Sequence, residues 1–115
     1  MKKKRVLIVD DDPHIVDKLA LLLADKYEIT TASNGFDALE RISEGGADVV
    51  LLDVRMPGLD GPGFATELQK HRIHVPLILM SANPNLADQA RRLGVRHYLS
   101  KPFDIETAET LIDRL

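Results

Sequence analysis

Short unbroken apolar runs alternate along this chain with longer stretches whose apolar residues recur every three or four positions. Val6-Leu7-Ile8-Val9, Val49 to Leu52 and Leu77 to Met80 contain no polar residue. Such β-branched and leucine runs mark strands covered on both faces, as in a parallel sheet with helices on either side. Tyr27 to Ala32 is more polar, as an edge strand tends to be, and Gly94-Val95 opens a short final strand through Tyr98-Leu99.

Between these runs the spacing predicts helices. Ile15, Leu19, Leu22 and Leu23 share one helical face, giving a first helix over Pro13 to Asp25 with Asp12 as N-cap and Pro13 at the first position. Phe36, Leu39 and Ile42 mark a second helix ending near Gly45-Gly46, and Phe64 and Leu68 a third from about Gly63 to His71. Met56-Pro57-Gly58-Leu59-Asp60-Gly61 reads as a loop in which Met56 and Pro57 shape the chain. The fourth helix has only Leu86, Ala90 and Leu93 to anchor it and should be loosely held. Asp104 can cap a fifth, with Ile105, Ala108, Leu111, Ile112 and Leu115 facing inward. Five strands alternating with five helices predict an α/β, doubly wound parallel sheet joined by right-handed crossovers.

Four apolar runs end at residues suited to phosphate or metal chemistry: Asp10, Asp11 and Asp12 after the first, then Asp53, Ser81 and Lys101. Parallel strands bring their carboxyl ends to one edge, and ligands of such sheets bind there where strand order reverses. With the flavodoxin-like order 2-1-3-4-5, Asp10, Asp11 and Asp53 meet at that point. Like charges about 4 Å apart repel by roughly 4 kcal/mol per pair at an effective dielectric near 20. The cluster must therefore raise a carboxylate pKa or recruit a cation. An all-oxygen set suits magnesium, with Mn2+ as a substitute, because no His or Cys stands at ligand spacing. Ser81 and Lys101 call in addition for a phosphoryl group, and an Asp carboxylate is a competent nucleophile toward phosphorus. Asp12 reads as a helix cap rather than a ligand.

Length and composition narrow the class. The 115 residues suit a single domain spanning 1–115, and 44% apolar with 29% charged residues is a globular composition. The basic start Met1 to Arg5 is followed by too short an apolar stretch for a signal peptide, and no run reaches membrane-spanning length. With no cysteine, thiolate sites are excluded and a reducing cytoplasm fits. A net charge of −3 with basic and acidic residues interspersed argues against direct nucleic-acid binding. His14, His71, His74 and His97 read as surface residues, with only His14 near the acidic pocket.

Four motifs in this order resemble the receiver (phosphoacceptor) domain of bacterial two-component response regulators, similar to the chemotaxis response regulator fold. They are Asp10-Asp11, Asp53-Val54-Arg55-Met56-Pro57-Gly58, Ser81-Ala82 and Ser100-Lys101-Pro102-Phe103, and the likeness runs from Val6 to Leu115. The resemblance implies that Asp53 is the phosphoacceptor. Asp11 would ligate magnesium directly, Asp10 largely through water, Asp53 as acceptor, and Arg55 through its backbone carbonyl. Ser81, the Ala82 backbone and Lys101 would stabilise the phosphoryl group, Ser81 and Tyr98 would form the switch pair, and the Lys101-Pro102 peptide would be cis.

The same resemblance implies a donor, a phosphohistidine on a sensor histidine kinase or histidine phosphotransfer protein. It further implies a readout surface on the fourth helix, fifth strand and fifth helix, for a downstream effector, a missing C-terminal output domain or a phosphorylation-dependent homodimer. Arg96-His97 stands where winged-helix regulators carry an acidic pair, which counts against their salt-bridged dimer, and the loop motifs look closer to receivers of ATPase-type activators. Such a domain is not a classical enzyme; it catalyses only its own phosphotransfer and dephosphorylation. Three other readings stand beside it. One is a receiver-like scaffold that takes no phosphate. Another is a haloacid-dehalogenase-type phosphatase built on Asp10-x-Asp12, against which Pro13-His14 and the short chain argue. The last is a flavodoxin-like flavin carrier, which the acidic pocket disfavours.

Overall fold

A computed structural model describes residues 3–55 and 61–115. Its elements run β1 (Arg5–Val9), α1 (Pro13–Leu23), β2 (Glu28–Ala32), α2 (Gly35–Gly45), β3 (Val49–Asp53), α3 (Gly61–Lys70), β4 (Leu77–Ser81), α4 (Leu86–Leu93), β5 (His97–Ser100) and α5 (Ile105–Asp113). The strands form one parallel sheet in the order β2-β1-β3-β4-β5. The expected doubly wound, flavodoxin-like architecture is thus the one observed. Of the expected loop Met56 to Gly61, residues 56–60 lie outside the described residues, and Gly61 already belongs to α3.

The unbroken apolar runs follow from covering the sheet on both sides. Val6, Ile8, Val49, Leu51, Ile78 and Met80 face a layer containing Leu19, Leu23, Ala108 and Ile112 of α1 and α5. Their neighbours Leu7, Val9, Val50, Leu52 and Leu79 face Ala38, Ile42, Phe64, Leu68, Leu86 and Ala90 of α2, α3 and α4. Successive strand residues point to opposite faces, so each of these runs serves both cores.

The structure corrects several local expectations. Leu22 is 47% exposed, because the inward stripe of α1 centres on Leu19 and Leu23. At 100° per residue Leu22 lies about 80° from that centre. Phe36 is 63% exposed, since α2 faces inward through Gly35, Ala38 and Ile42, and Phe36 falls opposite Ala38. The helix α1 stops at Leu23 rather than Asp25, and β5 begins at His97 rather than Gly94, whose left-handed φ of 71° instead closes α4. The helix α3 starts two residues earlier and ends one earlier than expected.

Candidate functional site

Strand register places the chemistry. Val9 pairs with Leu52, and Asp53 with Met80, which pairs with Leu99. Asp10 follows Val9 directly, so it comes level with Asp53, while Ser81 lies one residue and Lys101 two residues further toward the carboxyl edge. The sheet continues briefly into the loops. The Asp10 N–H donates to the Ala32 carbonyl at 3.2 Å, Val54 N–H to Met80 at 3.2 Å and Lys101 N–H to Ser81 at 2.9 Å. These bonds fix the loop starts that carry the functional side chains.

Asp10, Asp11 and Asp53 each offer a carboxylate oxygen within 4.8 Å of the others. Asp10 is 1% exposed and Asp53 8%, whereas Asp11 is open to solvent. Lys101 Nζ lies 2.9 Å from Asp10 Oδ2 and 3.8 Å from Asp53 Oδ1. One ammonium thus answers two buried carboxylates, leaving negative charge in excess. Burial and then the neighbouring Asp10 carboxylate push the Asp53 pKa up to about 6. Lys101 and the Arg55 N–H, which donates to Asp53 Oδ1 at 3.3 Å, pull it down less strongly. Three oxygen donors with unbalanced charge, and no nitrogen or sulfur ligand among them, fit a hard divalent cation such as magnesium.

The other predicted residues lie on or beyond β4 and β5, with Tyr98 level with Leu79 rather than at the carboxyl edge. Ser81 is buried, and its Oγ accepts the Asn83 N–H at 3.0 Å. Ala82 is exposed beside it, the Lys101-Pro102 peptide is cis, and Tyr98 is 42% exposed on β5. The Asp12 carboxylate accepts the His14 N–H at 3.0 Å, so it caps α1, while the Asp12 N–H donates to Asp10 Oδ1 at 3.0 Å. A cavity of about 310 Å³ adjoins the site, lined by Ile15, Leu19, Leu22, Phe103 and Ile105 with Ala82, Lys101 and Pro102. Another cavity, of about 690 Å³, opens near Ile73, Val75, Leu93 and Arg96, toward the amino ends of β4 and β5 and away from the carboxylates.

Two features escaped the sequence reading. Asn83 joins Ser81 to the start of α4, a role that Asn83-Pro84-Asn85 signals only as a turn. Charge is also less interspersed than expected: between positions 68 and 103, six Lys and Arg stand against Asp88 alone. That imbalance was countable in the sequence.

The family model for the response regulator receiver domain matches residues 6–113. The chain belongs to the response regulator receiver family. This receiver is 38% identical to the DNA-binding transcriptional regulator NtrC of Escherichia coli K12, across 99% of this chain and 25% of NtrC. It is 38% identical to the uncharacterised transcriptional regulatory protein YkoG of Bacillus subtilis, across 92% of this chain and 48% of YkoG. The receiver thus spans at most about half the length of these curated relatives. Among solved structures it is similar to the chemotaxis protein CheY4 of Vibrio cholerae, with TM-score 0.86 and 28% identity over 97% of this chain and 98% of that one. It also resembles the response regulator TrrA of Thermotoga maritima, solved with Mg2+ and BeF, with TM-score 0.84 and 33% identity over 96% and 97% of the two chains. Among the described residues of this receiver, no helix is long and apolar enough to cross a membrane.

Proposed function

We propose that this receiver accepts a phosphoryl group on Asp53 from a phosphohistidine of a sensor histidine kinase or phosphotransfer protein, in the cytoplasm, and so controls a downstream partner or output domain. The observation that carries this reading is the pairing of one ammonium, Lys101, with two buried carboxylates beside an exposed third. A purely structural cluster has no need of that excess negative charge at the edge of a sheet.

An Asp53 carboxylate oxygen attacks phosphorus, the phosphorus–nitrogen bond of the donor breaks, and its electron pair returns to the imidazole. Asp10, Asp11, Asp53 and the Arg55 carbonyl would hold magnesium. When bound, the cation neutralises the carboxylates and the charge that develops on the phosphoryl oxygens. Lys101 shares that charge, the Ala82 N–H and Ser81 hydroxyl donate to phosphoryl oxygens, and Tyr98 turns toward the space Ser81 leaves. The apolar cavity beside Lys101, with Phe103 and Ile15 in its lining, gives a donor protein a place to rest while its histidine reaches Asp53.

Incubation with magnesium and acetyl phosphate, followed by intact mass measurement, tests the reading. A gain of one phosphate that is absent in Asp53→Asn is expected. Absence of any gain in the unaltered chain leaves the phosphate-free scaffold, and continuous release of phosphate from many substrates makes it a phosphatase.

A further inference from the structure

The inward stripe of α4 is interrupted by an amide. Leu86 and Ala90 are buried and Leu93 is partly buried. Gln89, three residues after Leu86 and four before Leu93, stands in the same stripe, where helical periodicity calls for an apolar side chain. Its Oε1 has essentially no accessible surface and no hydrogen-bond partner among the described residues. An amide oxygen taken from water without a compensating donor destabilises the pose that buries it.

The amino end of α4 is weakly secured as well. Asp12 and Asn34 cap α1 and α2 through their side chains, but Asn85 of α4 makes no side-chain cap bond, and neither does Asp104, the expected cap of α5. The helix is only eight residues long, too short to persist without tertiary support. Its first turn hangs on Asn83, whose Oδ1 accepts the Asn85 N–H at 2.8 Å and whose carbonyl accepts the Leu86 N–H at 3.1 Å. Asn83 is in turn held by its own N–H, which donates to Ser81 Oγ. By contrast the carboxyl end is closed firmly, with Gly94 N–H reaching the Ala90 and Arg91 carbonyls and Val95 N–H reaching Ala90 at 2.8 Å.

We infer that Gln89 keeps α4 poorly seated in the unphosphorylated receiver, so that the helix shifts when Ser81 releases Asn83. Gln89 is a positioning residue: it touches no reacting group and acts by raising the free energy of one pose of α4. Turning the Ser81 hydroxyl toward a phosphoryl oxygen withdraws the acceptor of the Asn83 N–H and loosens the turn that holds Asn85 and Leu86. A helix carrying a buried unpaired amide then needs little further bias to move, because the ligand has only a small gap between poses to overcome. The trigger in this account rests on the phosphoacceptor reading, whereas the poor seat rests on Gln89 alone.

The test replaces the amide by a thioether of similar length, Gln89→Met, with Gln89→Leu as a second apolar replacement, in the whole chain. A control stabilises the fold elsewhere: Arg72, exposed after α3, has a left-handed φ of 55° that Arg72→Gly relieves. In the metal-free protein, amide hydrogen exchange across Leu86–Leu93 is expected to slow about tenfold in Gln89→Met and to keep its rate in Arg72→Gly. Titration with magnesium and beryllofluoride, followed by the Tyr98 ring resonances, is expected to show roughly three- to tenfold weaker apparent affinity in Gln89→Met only. Unchanged or faster exchange in both apolar variants overturns the poor seat. Slower exchange with unaltered affinity, or an equal loss of affinity in Arg72→Gly, overturns its link to switching. If the unaltered chain takes no beryllofluoride, the phosphoacceptor reading falls, and the exchange rates still decide the role of Gln89.

Discussion

The Lys101 ammonium sits nearly an ångström closer to Asp10 than to Asp53, at 2.9 Å against 3.8 Å. The deeper carboxylate is therefore the better neutralised, and Asp53 is left with the weaker partner and the raised pKa. Under the proposed function, that asymmetry would leave Asp10 with the metal and Asp53 to react. Removing the cation breaks it. Lys101→Ala is expected to lower the stability of the metal-free protein by about 1–3 kcal/mol, less than for a wholly buried pair because Lys101 keeps some contact with water. Urea denaturation in the presence of a chelator measures this, and added magnesium should restore part of the loss.

Asp53→Asn should act in the opposite direction. The substitution removes a buried charge that burial and Asp10 both disfavour, while keeping the shape of the side chain. A group whose folded pKa lies near 6 rather than near 4 supports folding fully below about pH 4, and that support is lost as pH rises through about 6. At pH 7.5 without metal, Asp53→Asn is expected to be more stable than the unaltered chain by about 1–3 kcal/mol, and at pH 4 nearly equal. Thermal melts at the two pH values give the comparison.

Asp11→Ala is expected to separate metal affinity from stability. Asp11 is exposed, so losing it costs the metal-free fold little and even relieves repulsion. Magnesium should raise the melting temperature of the unaltered chain, since a ligand that binds only the folded state stabilises it in proportion to the logarithm of its concentration over Kd. In Asp11→Ala the same rise should require at least about tenfold more magnesium, because one of three anionic donors is gone. Equal titration curves would remove Asp11 from the metal site.

Tyr27 links the start of β2 to the end of α5. Its hydroxyl donates to Asp113 Oδ1 at 2.6 Å, and Lys26 Nζ lies 2.9 Å from the other oxygen of that carboxylate. Burial, then the bond to Asp113, push the Tyr27 phenol up to about 12. Its contribution to stability is therefore complete below the unfolded value near 10 and is lost as pH rises toward about 12. Asp113 shifts the other way: its pKa is lowered, first by the Tyr27 hydroxyl and then by Lys26, so its contribution holds above about pH 4 and fades as acid protonates it. Tyr27→Phe should cost about 1 kcal/mol at neutral pH and should flatten the stability profile above pH 10. Denaturation across the pH range follows both limbs.

Much of this receiver was readable in the chain alone. Runs such as Val6-Leu7-Ile8-Val9 have no polar face, so they can only be strands covered on both sides, and parallel topology puts Asp10, Asp53, Ser81 and Lys101 on one edge. The Asp12-Pro13 cap was equally local, since its hydrogen bond reaches only His14. Strand type, helix starts and the shared edge all depend on neighbours within a few residues and on one topological rule.

What needed the tertiary structure was whatever depends on phase and partner. Leu22 and Phe36 are as apolar as Leu19 and Ile42, and only the angle at which each helix meets the sheet turns them outward. The sequence names Lys101, Asp10 and Asp53 as companions, but the preference of the ammonium for Asp10 arises from distances set by the register of β1, β3, β4 and β5. Gln89 is one polar residue in a polar helix until packing buries its amide oxygen without a hydrogen-bond partner among the described residues. Local chemistry chose which groups meet; long-range packing decided how closely they meet and which of them are left unsatisfied.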